Sequence, residues 1–178
     1  MSILTGPAIV AAYERGEIQI ERFRPEMINP ASIDLTLGDQ VRTYDTKYVI
    51  DSRLERDTHL GHIQPVGFVL FPGVGHLMHT AERIGSTKYV PVLDGKSSVG
   101  RLFVQVHATA GYGDIGFFGQ WTLEVTVTHP VRVYAGMRIA QMRFHEAVGE
   151  VQLYKGNYAH DASGPVASRA HRQFDGLP

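Results

Sequence analysis

The chain has 178 residues with 17 Lys and Arg against 18 Asp and Glu, enough for one domain with a sizeable core and too short for two ordinary ones. Its formal net charge of −1 and lack of cysteine give no whole-molecule attraction to nucleic acid or an anionic membrane, no disulfides and no thiolate metal ligands. No basic segment followed by an apolar run stands at the start and no apolar run reaches membrane-spanning length, so a protein without nucleic-acid or membrane partners, soluble and cytoplasmic, is the expectation.

Thr5-Gly6-Pro7 predicts a helix start, with Thr5 as cap and Pro7 in the first turn; Ile9, Val10 and Tyr13 recur at helical spacing and Gly16 stops the helix. Ile18 and Ile20 alternate with polar residues as a short strand, and Asn29-Pro30 makes a turn. Residues 32–37, Ser-Ile-Asp-Leu-Thr-Leu, alternate with period two, which predicts a half-buried strand whose polar residues form its outer face. Residues 45–61 are charged and irregular, a surface excursion. Further strands are predicted at 67–71, 77–80 and 89–93, then at 103–107, 121–128, 131–134 and 139–145, separated by Gly and Pro turns. Helical periodicity is nearly absent after residue 16, the pattern of a mainly β sandwich or barrel. The end of the chain is rich in small, polar and basic residues and reads as a tail. One domain over residues 1–178 is expected, with a barrel to 154 and a mobile tail from 155.

Chemistry concentrates between Leu93 and Val125. Asp94-Gly95 predicts a turn, and Lys96, Ser97, Ser98 and Arg101 put two cations and two hydroxyls within six residues. They form either a polar hairpin turn with a solvated arginine or an anion cradle, with a short helical turn at Val99-Gly100-Arg101 aiming amides and hydroxyls at one phosphate. Glu124 stands between Leu123 and Val125. If those two face the core, Glu124 is a surface carboxylate; if the strand borders a subunit interface, it is a carboxylate in a dry pocket, suited to proton transfer near neutral pH. Asp114 lies in a glycine turn, where aspartate is ordinary, and Tyr112 beside it is a core gap-filler or a site residue.

Gly95-Lys96-Ser97-Ser98-Val99-Gly100-Arg101-Leu102, followed by residues 109–114 and Thr122-Leu123-Glu124, resembles the core signature of the dCTP deaminases, relatives of the trimeric dUTPases. Residues 30–38 resemble that family's N-terminal motif, 136–141 its late strand and 164–169 its tail, so the resemblance covers nearly the whole chain in order. It implies a dUTPase-like distorted β-barrel or jelly-roll with a short N-terminal helix, assembled as a homotrimer with active sites at subunit interfaces. It also implies hydrolytic deamination of dCTP to dUTP and ammonia. By the same resemblance Lys96, Ser97, Ser98 and Arg101 hold the triphosphate, Glu124 moves protons, and Arg101, Ser97 and the Ala110 carbonyl hold the attacking water. Asp114 meets the deoxyribose, and Thr122, Leu123, Gln141 and Tyr154 complete the nucleotide site.

Zinc deaminases need a P-C-x-x-C segment that a chain without cysteine cannot supply. The nine histidines are scattered, and His76 and His79 sit at a strand turn that does not hold two ligands together, so no protein metal site is expected. Magnesium is expected with the nucleotide phosphates, because it keeps its water and needs few protein ligands. The resemblance also raises dTTP as a feedback inhibitor. Two departures stand out. Asn157 precedes Tyr158 where a lysine is usual, with His160 or Asp161 at the place of a glutamine, and Gly113 and Ile115 replace the usual Ile and Pro around Asp114. Thr109-Ala110-Gly111 with Tyr112 is closer to the bifunctional members, which convert dCTP to dUMP and diphosphate. A dUTPase or nucleotide diphosphatase without deamination, and a nucleotide-binding module without activity, are the remaining readings.

Overall fold

The computed structural model describes residues 2–159 and 163–176. Helix α1 spans Gly6–Glu14. Thr5 takes the N-cap position in extended conformation, but its side chain makes no capping hydrogen bond, so the start rests on the proline, whose locked φ and missing N–H suit the first turn. Gly16 adopts φ +73, the left-handed conformation that ends the helix. Ile9 and Ala12 are the buried face.

The strands are β1 (Ile18–Ile20), β2 (Ile33–Thr36), β3 (Gln40–Tyr44), β4 (Thr58–His62), β5 (Phe68–Leu70), β6 (His76–His79) and β7 (Ile84–Ser86), followed by β8 (Tyr89–Gly95). After the short helix α2 (Ser97–Gly100) come β9 (Val104–Gln105), β10 (Phe118–Gly119), β11 (Thr122–Val127), β12 (Val131–Val133) and β13 (Arg138–Glu146). They pair antiparallel in sheets ordered β1-β7-β10, β4-β3-β6-β11-β9, β12-β5 and β2-β13-β8. The fold is mainly β with two helices, one of them short, as the alternation and turn spacing predict. Among the described residues no helix is long and apolar enough to cross a membrane.

Two sheets position the site. In β11, Leu123, Val125 and Val127 are buried while Thr122, Glu124 and Thr126 face outward; in the other, Leu93 of β8 and Met142 and Phe144 of β13 enter the core. Each such side chain stabilises the fold by about 1.5–3 kcal/mol through removal of apolar surface from water. β9 pairs only with Thr126 and Val127, so among the described residues Thr122 to Glu124 have strand β6 on one side and no strand on the other.

Several elements differ from the sequence expectation. All four residues of β2 are buried, and Asp34 and Thr36 are not an outer face. Asp94 and Gly95 are not a turn: they continue β8 opposite Gln141 and Ala140. The strand predicted at 103–107 contracts to Val104–Gln105, and Phe103, at φ +55, belongs to the turn that follows α2. Strands β3 and β4 stand where none was predicted; β3 buries only Val41 and β4 leaves Leu60 exposed, so pairing, β3 with β6 and β4 with β3, defines them rather than apolar alternation.

Candidate active site

A cavity of about 320 Å³ opens beside the uncovered stretch of β11. Its lining gathers Ala110, Asp114, Thr122, Glu124 and Tyr154, five of the residues singled out in the sequence. Because Leu123 and Val125 turn into the core, Glu124 projects outward into this cavity, half-buried, and its carboxylate accepts long contacts from the amide and hydroxyl of Thr109, both 3.3 Å. Leu123 is fully buried, so only its backbone can meet a ligand.

The 109–114 turn lies close on β8. Gly111 O accepts Leu93 N–H at 2.7 Å, and a Cβ on Gly111 would come to 2.4 Å from Leu93 O, so this turn can lie so near only because residue 111 has no side chain. Tyr112 is 68% exposed at the cavity rim, not filling a core gap. Tyr154 N–H donates to Ile115 O at 2.7 Å, which seats the tyrosine on the cavity's far wall, edge-on to Phe117.

Ser97, Ser98, Lys96, Arg101 and Gln141 do not line this cavity. α2 forms the predicted helical turn, and the side chains of Ser97, Ser98 and Arg101 are exposed, without a side-chain hydrogen bond or ion pair among the described residues. Lys96 Nζ rests 2.8 Å from both oxygens of Asp34. Gln141, opposite Asp34 on β2 and Asp94 on β8, accepts the Ser32 hydroxyl at 3.3 Å and lines a second cavity of about 210 Å³ with Arg143. Arg143 pairs with Asp94 at 2.8 Å. The chain therefore carries two separate groups: a carboxylate cavity around Glu124, and a basic, hydroxyl-rich group around α2, β2 and β13.

Sequence reasoning did not find Asp34, nor Trp121, Tyr44 and Tyr158 on the cavity wall. Trp121, the chain's sole tryptophan, donates from Nε1 to Ile84 O at 3.0 Å. Its place directly before Thr122 was the available signal. Below the cavity His79, opposite Thr122, donates its Nδ1–H to Thr80 O at 3.0 Å and accepts Gln40 N–H on Nε2 at 3.2 Å. Burial holds its imidazole below the ordinary value, so the neutral ring fits both bonds.

The described part of the tail crosses the cavity. Gly164 N–H reaches Gln120 Oε1 at 2.7 Å, Val166 N–H the Thr122 hydroxyl at 3.0 Å, and Ser168 N–H the Tyr44 hydroxyl at 2.6 Å. Arg42 Nε donates to Pro165 O at 2.9 Å. Asn157 is exposed; His160 and Asp161 lie outside the described residues. Among the described residues no three His, Asp or Glu side chains are grouped to hold a metal ion.

A family model described as dCTP deaminase-like matches residues 3–147. The chain is 37% identical over 173 residues to the dUMP-forming dCTP deaminase of Leptospira biflexa serovar Patoc, covering 97% of this chain and 98% of that one. The dUMP-forming dCTP deaminase of Clostridium acetobutylicum is also 37% identical, over 172 residues, with 97% of this chain and 98% of that one covered. Among solved structures, the 2′-deoxycytidine 5′-triphosphate deaminase of Agrobacterium tumefaciens matches with a TM-score of 0.64 at 24% identity, over 82% of this chain. That likeness is one of fold, and this chain spans 48% of the Agrobacterium chain.

Proposed function

The chain belongs to the dCTP deaminase-like family, and on that premise we propose that it deaminates dCTP and carries the product on to dUMP and diphosphate. The observation that carries the reading is the division of one chain's chemistry into two halves. Glu124, Asp114 and Tyr154 share one cavity, while Ser97, Ser98 and Arg101 stand exposed on a turn that lies outside it. A second copy presenting its α2 turn to the Glu124 cavity completes the site, and three copies in a ring supply three such sites.

In that site Glu124 takes a proton from water held by Arg101, Ser97 and the Ala110 carbonyl, and the oxygen attacks C4 of cytosine. Glu124 then returns protons to the ring nitrogen and to the departing amine, which leaves as ammonia. Asp114 receives the deoxyribose. The open backbone from Thr122 to Glu124 reads the base edge, with Leu123 contributing main chain alone. Ser98 and Gln141 serve the phosphates. A second water then displaces diphosphate at the α-phosphorus and leaves dUMP.

The dUMP product is supported by the dUMP-forming relatives; dUTP as the end product is the less favoured alternative. A magnesium ion carried by the triphosphate fits a chain whose described acidic residues form no cage of their own, and it would neutralise charge on the phosphate oxygens. dTTP shares the sugar and triphosphate and differs in the ring, so it fits as a competing inhibitor.

The test is incubation of the purified protein with dCTP, dUTP, CTP and dCMP in excess magnesium and a zinc-selective chelator, followed by chromatography and an ammonia assay. We expect dCTP to yield dUMP, diphosphate and ammonia in equal amounts. Accumulating dUTP restricts the enzyme to deamination. Hydrolysis of dUTP without ammonia from dCTP makes it a diphosphatase, and binding without turnover makes it a nucleotide-binding module.

A further inference from the structure

Asp34 has no part in the reaction as proposed, yet it is 1% exposed. A buried carboxylate is costly unless it is paired and hydrogen-bonded. Asp34 is held from three places in the chain. Lys96 Nζ lies 2.8 Å from Oδ1 and 2.8 Å from Oδ2, Asn29 Nδ2 donates to Oδ1 at 2.8 Å, and Arg138 Nη1 lies 3.4 Å from Oδ2.

Of these partners, Lys96 is the residue from which α2 begins. Its carbonyl accepts the N–H groups of Val99 and Gly100 at 2.9 Å, and its own N–H donates to Ile139 O at 3.3 Å. α2 has four residues and no side-chain cap, and so short a helix has no stability of its own. Its direction is set by what fixes Lys96. Val99 packs into the core on one side, and Asp34 grips the lysine side chain on the other. Ser97, Ser98 and Arg101 then point wherever that anchored turn points.

We propose that Asp34 is a positioning residue: it grips Lys96 and so orients the α2 turn that presents Ser97, Ser98 and Arg101 to the nucleotide. The resting partner of Lys96 is then Asp34 rather than a phosphate. Asp34 itself touches no substrate, because it is enclosed and both its oxygens are already occupied. The inference rests on the assignment of the α2 turn to the triphosphate and the reacting base.

The experiment uses full-length Asp34→Asn, Lys96→Met and the double variant. It measures kcat and KM for dCTP, binding of inorganic tripolyphosphate by calorimetry, and thermal melting. Asp34→Asn keeps the shape and releases the grip, so kcat should fall at least ~10-fold through misplacement of Ser97 and Arg101. Tripolyphosphate affinity should fall as well, because Ser98 rides on the same turn, and the fall should agree within about threefold between Asp34→Asn and Lys96→Met. Lys96→Met, with Asp34 still bound to Arg138 and Asn29, should show the same two losses, and the double variant no further loss, since both changes break one link.

Wild-type kcat in Asp34→Asn, with or without a lower melting temperature, overturns the proposal, as do additive losses in the double variant. Tripolyphosphate binding weakened about tenfold more in Lys96→Met than in Asp34→Asn makes the lysine a direct phosphate ligand and also overturns it. If the unaltered protein does not turn over dCTP, the proposed function fails instead. The tripolyphosphate arm then decides alone: an equal loss in Asp34→Asn and Lys96→Met supports the Asp34 grip, and a loss confined to Lys96→Met refutes it.

Discussion

Gly113 stands where any side chain would strike the indole of Trp121. A Cβ at residue 113 would stand 2.1 Å from Trp121 Cη2 and 3.0 Å from Pro91 Cγ. The indole cannot swing away freely: it is 8% exposed, tied through Nε1 to Ile84 O at 3.0 Å, and set edge-on to Phe117 at 5.3 Å. Gly113→Ala therefore forces the ring to move. Overpacking costs ~1–3 kcal/mol, and loss of the indole hydrogen bond adds ~0.5–1.5 kcal/mol. At about 2–4 °C per kcal/mol for a chain of this size, melting should fall by about 3–18 °C. Because the chain has one tryptophan, its fluorescence reports this site alone, and its emission should shift in Gly113→Ala. Adding Trp121→Leu should restore most of the lost melting temperature by removing the ring that clashes. Unchanged melting and emission in Gly113→Ala, or a double variant worse than the sum of the singles, would refute the steric account.

Glu124→Gln keeps the shape of the carboxylate but cannot accept a proton, so deamination should fall at least ~10²–10⁴-fold while dCTP binding by calorimetry stays near wild type; half of wild-type turnover would exclude Glu124 as the acid/base. Burial holds the imidazoles of His76 and His79 below their ordinary value of 6.5, so the stability their neutral forms contribute is complete above about pH 6.5 and is lost as pH falls below it. Melting temperature should decline between pH 7 and 5, less steeply in His79→Gln. Glu17, held down to about 2 by Arg15 and Lys88, acts only at lower pH, and a flat curve for the unaltered protein would contradict the histidine account. Removing residues 155–178 takes away the bonds to Gln120, Thr122 and Tyr44 but little buried apolar surface. Melting should change by only a few degrees while dCTP turnover falls at least ~10-fold; full activity would show that the tail does not serve the site.

What depends on local pattern is legible in the sequence. The alternation of Leu123, Val125 and Val127 with Glu124 and Thr126 puts Glu124 on the face opposite its apolar neighbours, and that face is the outward one. The Pro7 and Gly16 punctuation likewise bounds α1. Asp34 is hidden for a physical reason. Period two marks which residues share a face, not whether that face meets water, and the outer face of β2 is covered by Lys96 and Arg138 from distant parts of the chain. β3 and β4 escape sequence reading because they exist through pairing, β3 with β6 and β4 with β3, rather than through their own apolar content. Trp121 and Gly113 become legible only together, since each explains the other by contact.

Central to the proposed chemistry is that Glu124 of one copy works with Arg101 of another. Arg101→Ala and Glu124→Gln, each inactive alone, are unfolded together, refolded at equal concentrations and assayed with dCTP. Random assembly of a closed ring joins an intact Arg101 face to an intact Glu124 face at about one interface in four. The mixture should therefore regain about a quarter of wild-type specific activity. Activity that stays at the sum of the two inactive variants, in mixtures shown by mass to contain both chains in one assembly, would place Arg101 and Glu124 in the same chain's site and contradict the shared site.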